Sequence, residues 1–175
     1  VETNEWLDGV IVDQTEHVAG LLLEALSEGK SIMECDGGIW RDGGVISEYK
    51  PCNSYIPLDK LPFPARDIEM LEWGGFINIE ASRGCIYNCS FCHIPLVSSR
   101  EHGRVTLDVR DPVKVVDEIE LLNKTLGKRL FIFNDSVFWA YEKDDERILK
   151  LCSEIKKRGL DIRMYAYLRC NPFVS

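Results

Sequence analysis

Ser82-Arg83-Gly84-Cys85-Ile86-Tyr87-Asn88-Cys89-Ser90-Phe91-Cys92-His93 sets three cysteines at C-x3-C-x2-C spacing, directly after the apolar run Phe76-Ile77-Asn78-Ile79-Glu80-Ala81. Thiolates hold iron–sulfur clusters, and close spacing in a loop lets one short segment ligate several irons. With three cysteines in reach, a four-iron cluster keeps one iron free of protein thiolate and open to a chelating small molecule. Other readings compete. C-x2-C beside His93 is half of a zinc site, but such sites usually need a second ligand pair at a distance. Cys35, Cys52, Cys152 and Cys170 are scattered singly, and His17 and His102 have no partner spacing. A redox dithiol at Cys89 and Cys92 leaves Cys85 without a role. Disulfides are disfavoured, since seven cysteines is an odd number and the spacing is not that of a small secreted framework.

Downstream of this loop, strand and helix signals alternate. Phe76–Ala81 reads as a strand. Asp111-Pro112 is a helix start, with Asp as cap and Pro at the first helical position. Apolar positions 115, 116, 119, 122 and 126 form the buried stripe, and Gly127 stops it. Leu130-Phe131-Ile132-Phe133 is a second strand ending at Asn134-Asp135. A second helix is expected from about Asp144 to Arg158, with Ile148, Leu151, Cys152 and Ile155 on one face. Ile162 to Leu168 is a third strand, ending near Arg169-Cys170. Strand–helix–strand order predicts parallel pairing with crossover helices. In such architectures functional groups gather at the C-terminal strand ends, where the cysteine loop, Asn134-Asp135 and Arg169 all lie. The aromatic residues Phe131, Phe133, Phe138, Trp139 and Tyr141 read as core ahead of a substrate lining. The acidic run Glu142, Asp144, Asp145 and Glu146 reads as a solvated helix start.

Upstream, Leu7–Val12 is predicted to be a short buried strand. A helix with apolar positions 18, 21, 22, 25 and 26 follows, capped by Asp13 or Thr15 and ended by Gly29. Residues 38–46 read as a hairpin turning on Asp42-Gly43-Gly44. Pro51, Pro57, Pro62 and Pro64 suit an extended connector, with one helical turn expected over Asp67–Leu71.

The 175 residues are 45% hydrophobic and 29% charged, the balance of a globular protein. A net charge of −8 argues against general nucleic-acid binding. No apolar run approaches the length of a membrane span. The acidic start, Val1-Glu2-Thr3-Asn4-Glu5, is unlike a signal peptide. Reduced cysteines fit a cytoplasmic, low-oxygen setting. The chain begins without Met and is expected to be a piece of a longer protein.

The loop C-x3-C-x-aromatic-C, with Phe91 as the aromatic, resembles the signature of radical S-adenosylmethionine (radical SAM) enzymes. The resemblance implies a [4Fe-4S] cluster on Cys85, Cys89 and Cys92, with S-adenosyl-L-methionine at the fourth iron. Reductive cleavage of that cofactor to a 5′-deoxyadenosyl radical, and hydrogen abstraction from an organic substrate, would follow. The upstream half is similar to the cobalamin-binding subgroup. Asp8-Gly9-Val10-Ile11-Val12-Asp13-Gln14-Thr15-Glu16 stands where that pattern reads D-x-V-V-x-G-E-G-E. The helix Leu21-Leu22-Leu23, the Gly-rich hairpin and Leu58-Asp59-Lys60-Leu61-Pro62-Phe63-Pro64 continue the match. Asp13, Gln14 and Thr15 replace the usual G-E-G, so a structural remnant holding no corrinoid is the alternative.

The implied fold is α/β. It comprises a partial radical SAM (β/α)6 TIM-like barrel, first three strands present, preceded by the C-terminal remnant of a Rossmann-like cobalamin-binding domain. The implied boundaries are 1–33 for the remnant, 34–72 for hairpin and linker, and 73–175 for half of the radical SAM core. Phe91 matches the aromatic beside the cofactor adenine, with core packing as the other reading. Asp135, and more weakly Asn134, lie where the family presents polar groups toward the cofactor's amino group; capping the next segment is the rival for Asp135. Arg169 stands where a guanidinium meets the cofactor carboxylate, or forms a surface ion pair. The resemblance implies cobalamin-dependent methyl transfer, with radical cyclisation or rearrangement as the runner-up. It implies a small-molecule or natural-product-like substrate and a flavodoxin- or ferredoxin-type reductant. A non-catalytic iron–sulfur or zinc-binding module is the rival from another class.

Overall fold

The computed structural model describes residues 4–66, 75–94, 107–139 and 144–168. The expected turn at Asp67–Leu71 and the residues His102, Tyr141, Glu142, Arg169 and Cys170 lie outside them. The chain divides into two compact units, with the boundary between Ile56 and Pro57. That boundary falls inside the Pro-rich segment.

In the first unit, β1 (Gly9–Ile11) pairs antiparallel with β2 (Gly38–Asp42), which pairs with β3 (Val45–Ile46). The β2–β3 turn falls on Gly43 and Gly44, both at positive φ (55° and 85°). Two such residues in sequence are what a two-residue hairpin turn demands, so Asp-Gly-Gly encodes it directly. Helix α1 (Thr15–Ser27) departs from the cap expectation, for Gln14 holds the N-cap and makes no side-chain cap bond. Asp13 is committed elsewhere. Its carboxylate accepts from the Tyr49 hydroxyl and the Cys52 amide, both at 2.7 Å. Gln14 bonds both backbone groups of Ile56. The strand expected over 7–12 is shorter and only half-buried, with Val10 39% exposed. Among the described residues of this unit, Val18 and Trp40 are the buried hydrophobic side chains, while Leu23 and Leu26 of α1 face outward.

The second unit carries the strict alternation. Strand β4 (Phe76–Ile79) is followed by a short antiparallel pair, β5 (Ser82–Gly84) with β6 (Leu107–Val109), which the alternation of longer signals did not announce. Helix α2 (Pro112–Leu126), strand β7 (Leu130–Phe133), helix α3 (Asp145–Lys157) and strand β8 (Arg163–Tyr165) complete it. Strands β4, β7 and β8 form one sheet with both pairings parallel, as the strand–helix–strand order requires. Asp111 caps α2 by accepting from the Val113 amide at 2.7 Å, and Gly127 ends it in the left-handed region. The third strand is shorter than Ile162–Leu168, though Leu168 still bridges to Trp139 in the parallel sense.

Alternation along the strands splits the sheet's faces. Ile77, Ile79, Phe131 and Phe133 pack with Val115, Val116, Ile119 and Leu122 of α2 and with Leu151 and Ile155 of α3. Phe131, Phe133 and Phe138 are therefore core. Phe76, Asn78 and Leu130 point to the other face and are exposed. No helix among the described residues is long and apolar enough to cross a membrane.

The Pro-rich segment beyond Pro57 is tied to this second unit. Leu58 donates its amide to Asp108 at 2.7 Å, and Asp59 accepts from the Asp111 amide and from Lys114. The Phe63 ring lies 5.4 Å from the Arg110 guanidinium carbon. Glu118, with its side chain 2% exposed, accepts from Arg110 at 2.8 Å and from Arg66 at 3.2 Å. The same two arginines donate to the carbonyls of Glu80 and Asn78. Removing one partner of such a buried pair strands the other charge, so Glu118→Ala should cost about 3–5 kcal/mol in urea denaturation. Lys114→Ala, which breaks an exposed pair with Asp59, should cost about 1 kcal/mol or less.

Candidate metal centre

The approach to the cysteines is built from the end of β4. Glu80 leaves the strand and accepts both a 3.1 Å and a 2.7 Å bond from Arg83, a bidentate pair across one turn. Ala81 is fully buried; its carbonyl accepts from the Arg110 amide and its amide donates to Asp135. Gly84 then sits at φ 89°, a region L side chains avoid, and turns the chain into Cys85.

Cys85, Cys89 and Cys92 are half-buried and unpaired as disulfides. The Cys92 amide donates to the Cys89 carbonyl at 3.0 Å, closing a tight turn between the second and third thiols. Among the described residues, no trio of His, Cys, Asp and Glu side chains is arranged to hold one metal ion. A single zinc ion needs its ligands around one point. A four-iron cluster gives each thiolate its own iron, so three thiolates leave one iron without a protein ligand. His93 is exposed beside them. Cys35 and Cys52, which the sequence leaves as scattered thiols, both line a cavity of about 520 Å³ in the first unit. Burial, with the negative charges of Asp36 and Glu34, pushes the Cys35 thiol above its usual range.

Phe91 is 91% exposed, which removes core packing as its role. At the end of β7, the Asn134 amide donates to Ile79 at 2.9 Å while the residue itself is exposed. Asp135 is 1% exposed and turned inward. Its Oδ1 accepts from the Ala81 amide and its Oδ2 from the Ser82 hydroxyl, each at 2.9 Å, and the Ser82 amide adds a third bond. The carboxylate thus grips the segment before the cysteines, where the sequence pointed it at a cofactor amine or at the segment after it. Arg169 lies outside the described residues. Sequence reasoning missed Ser82, Glu80–Arg83 and Arg110. Their one visible signal was a Ser-Arg-Gly run abutting the first cysteine.

Burial raises the Asp135 carboxyl to about 6, against the opposing pull of its three hydrogen bonds and the positive charge of Arg147. A carboxyl raised by folding stabilises while protonated, and that contribution is lost as pH rises from about 4 through about 6. The melting-temperature advantage of the natural chain over Asp135→Asn should therefore be larger at pH 5 than at pH 7. Gly84→Ala forces a side chain into the left-handed region at about 1–2 kcal/mol. It should lower the iron bound after reconstitution, measured per chain.

No family model matches the chain. The anaerobic magnesium-protoporphyrin IX monomethyl ester cyclase of Rubrivivax gelatinosus is 30% identical over 171 residues, covering 90% of this chain and 28% of that protein. The chain spans about a third or less of the length of the curated relatives it matches. Among solved structures, the cobalamin-dependent S-adenosylmethionine radical enzyme OxsB, with aqua-cobalamin and S-adenosylmethionine bound, superposes with a TM-score of 0.68. That match is 22% identical and covers 89% of this chain and 22% of OxsB. The radical S-adenosylmethionine methyltransferase TsrM of Kitasatospora setae, with cobalamin and a [4Fe-4S] cluster bound, also gives 0.68, at 20% identity over 92% of this chain and 33% of TsrM. The three-cysteine loop and the mixed α/β fold agree with these likenesses, and the chain resembles the radical S-adenosylmethionine enzyme family.

Proposed function

We propose that the whole protein is a cobalamin-dependent radical SAM methyltransferase acting on an unactivated carbon or phosphorus of a small, natural-product-like molecule. The observation that carries this reading is the set of three half-buried thiols, free of disulfides, that follow β5 in the crossover from β4 to its parallel neighbour β7. Cys85, Cys89 and Cys92 would hold a [4Fe-4S] cluster. That cluster would supply the electron that cleaves the C5′–S bond of S-adenosyl-L-methionine, giving methionine and a 5′-deoxyadenosyl radical that takes a hydrogen atom from substrate. Exposed Phe91 offers a face to the adenine, Asn134 a polar group to the amino end, and Arg169 a guanidinium to the carboxylate. The electron would come from a flavodoxin- or ferredoxin-type donor in the cytoplasm.

On this reading, residues 73–175 are the first half of a (β/α)6 barrel and residues 1–33 the end of a Rossmann-like cobalamin domain, with 34–72 between them. Cobalamin is supported by the likeness to OxsB and TsrM, whose bound corrinoids are described in those structures. Radical cyclisation is the second reading, favoured by the 30% identity to a cyclase.

Anaerobic reconstitution of the full-length protein with iron and sulfide, then dithionite and S-adenosylmethionine, should yield 5′-deoxyadenosine. Cys85→Ala, Cys89→Ala or Cys92→Ala should each abolish it. A cluster that forms without cleavage under several reductants would instead indicate a binding module, and zinc in place of iron would remove the reading altogether.

A further inference from the structure

We propose that Asp135 is a positioning residue, fastening the lead-in of the cysteine loop to the end of β7 so that Cys85 is presented in one orientation. The inference rests on the cluster reading above and assigns Asp135 to the loop instead of to the cofactor. Three observations carry it. First, the carboxylate is 1% exposed, and both oxygens are engaged by residues 53 and 54 positions earlier in the chain. Second, Ala81 and the preceding residue, Glu80, are held by Arg110 as well. The Arg110 amide donates to the Ala81 carbonyl, and Arg110 Nη1 to the Glu80 carbonyl, both at 2.9 Å. Third, the strand that Ser82 opens runs only to Gly84, and β6 closes against it from beyond the loop. The segment entering the cysteines is therefore gripped at three points, and Asp135 is the grip supplied by the neighbouring parallel strand.

A side chain placed this way cannot meet a cofactor without surrendering the bonds that hold Ala81 and Ser82. Its influence on chemistry runs through where Cys85 sits. Asn134, one residue earlier and exposed, keeps the opposite orientation, as strand alternation dictates.

The test uses the full-length protein, reconstituted anaerobically, with Ser82→Ala, Asp135→Asn and the double variant. Iron release to a chelator is followed without S-adenosylmethionine, together with the electron paramagnetic resonance spectrum of the reduced cluster and the melting temperature of the apoprotein. Ser82→Ala removes one hydrogen bond and should accelerate iron release about fivefold, the effect expected from a bond of ordinary strength. The resonance should broaden, the apo melting of Ser82→Ala should change little, and the double variant should be no worse than Asp135→Asn alone. Affinity for S-adenosylmethionine, measured per loaded cluster, should hold. Three results would overturn the proposal: unchanged iron release and spectrum in both single variants, weakened cofactor affinity with normal iron release, or iron loss that merely tracks a falling melting temperature. A protein that holds its cluster yet cleaves no cofactor would fail as an enzyme while leaving this test readable.

Discussion

Parallel pairing of β4 with β7 is the constraint from which the rest of the second unit follows. Antiparallel neighbours can be joined by a two-residue turn, but parallel ones need a long crossover. Here the crossover spans the cysteine loop, the β5–β6 pair and α2. Because both strands point the same way, their C-terminal ends open on one rim. Residues 80–85 and 134–135 thus become neighbours although some fifty positions separate them. The helices that make the crossovers cover one sheet face with apolar side chains. The opposite face keeps Asn78, Glu80 and Asn134. One topological rule therefore divides the sheet into a side that stabilises and a side available for chemistry.

Much of this was legible in the chain. The 115, 116, 119, 122 stripe, the Asp-Pro start and the Gly127 stop gave α2 its limits because each is a local rule acting through nearest neighbours. The C-x3-C-x2-C spacing is local in the same way, a pattern set by a few consecutive residues. What escaped was set by distant partners. The charge and strand position of Asp135 suit a cofactor amine or a cap on the next segment, and sequence does not show the amides of Ala81 and Ser82 that meet it. Asp13 is, with Thr15, one of two cap candidates in the sequence, and a tyrosine hydroxyl and an amide thirty-six and thirty-nine positions away claim it instead. The β5–β6 pair, three residues a side, is too short for alternation to register.

The charge distribution follows a similar logic. Arg158 at the end of α3 joins Glu154 on its own helix to Asp117 and Glu120 on α2, with the Asp117 bond at 2.6 Å. Its guanidinium is held more firmly protonated by those bonds, those to Asp117 first. This is a partly exposed surface network linking the two helices, of modest worth in net stability. Glu118, one position from Asp117 but turned inward, meets two arginines in a water-poor setting where neither side can lose its partner cheaply.

The Pro-rich stretch has a consequence for how such proteins can be taken apart and recombined. Proline density suggests a passive spacer, and a spacer can be shortened or swapped. Residues 58–66 behave otherwise, since Leu58, Asp59, Phe63 and Arg66 each engage a side chain or backbone group of the second unit. A chimera joined at residue 73 would discard a counter-charge of Glu118 and the stacking partner of Arg110. A junction at Pro57 would carry the second unit with its own seal intact, so the transplantable module starts earlier than its first strand.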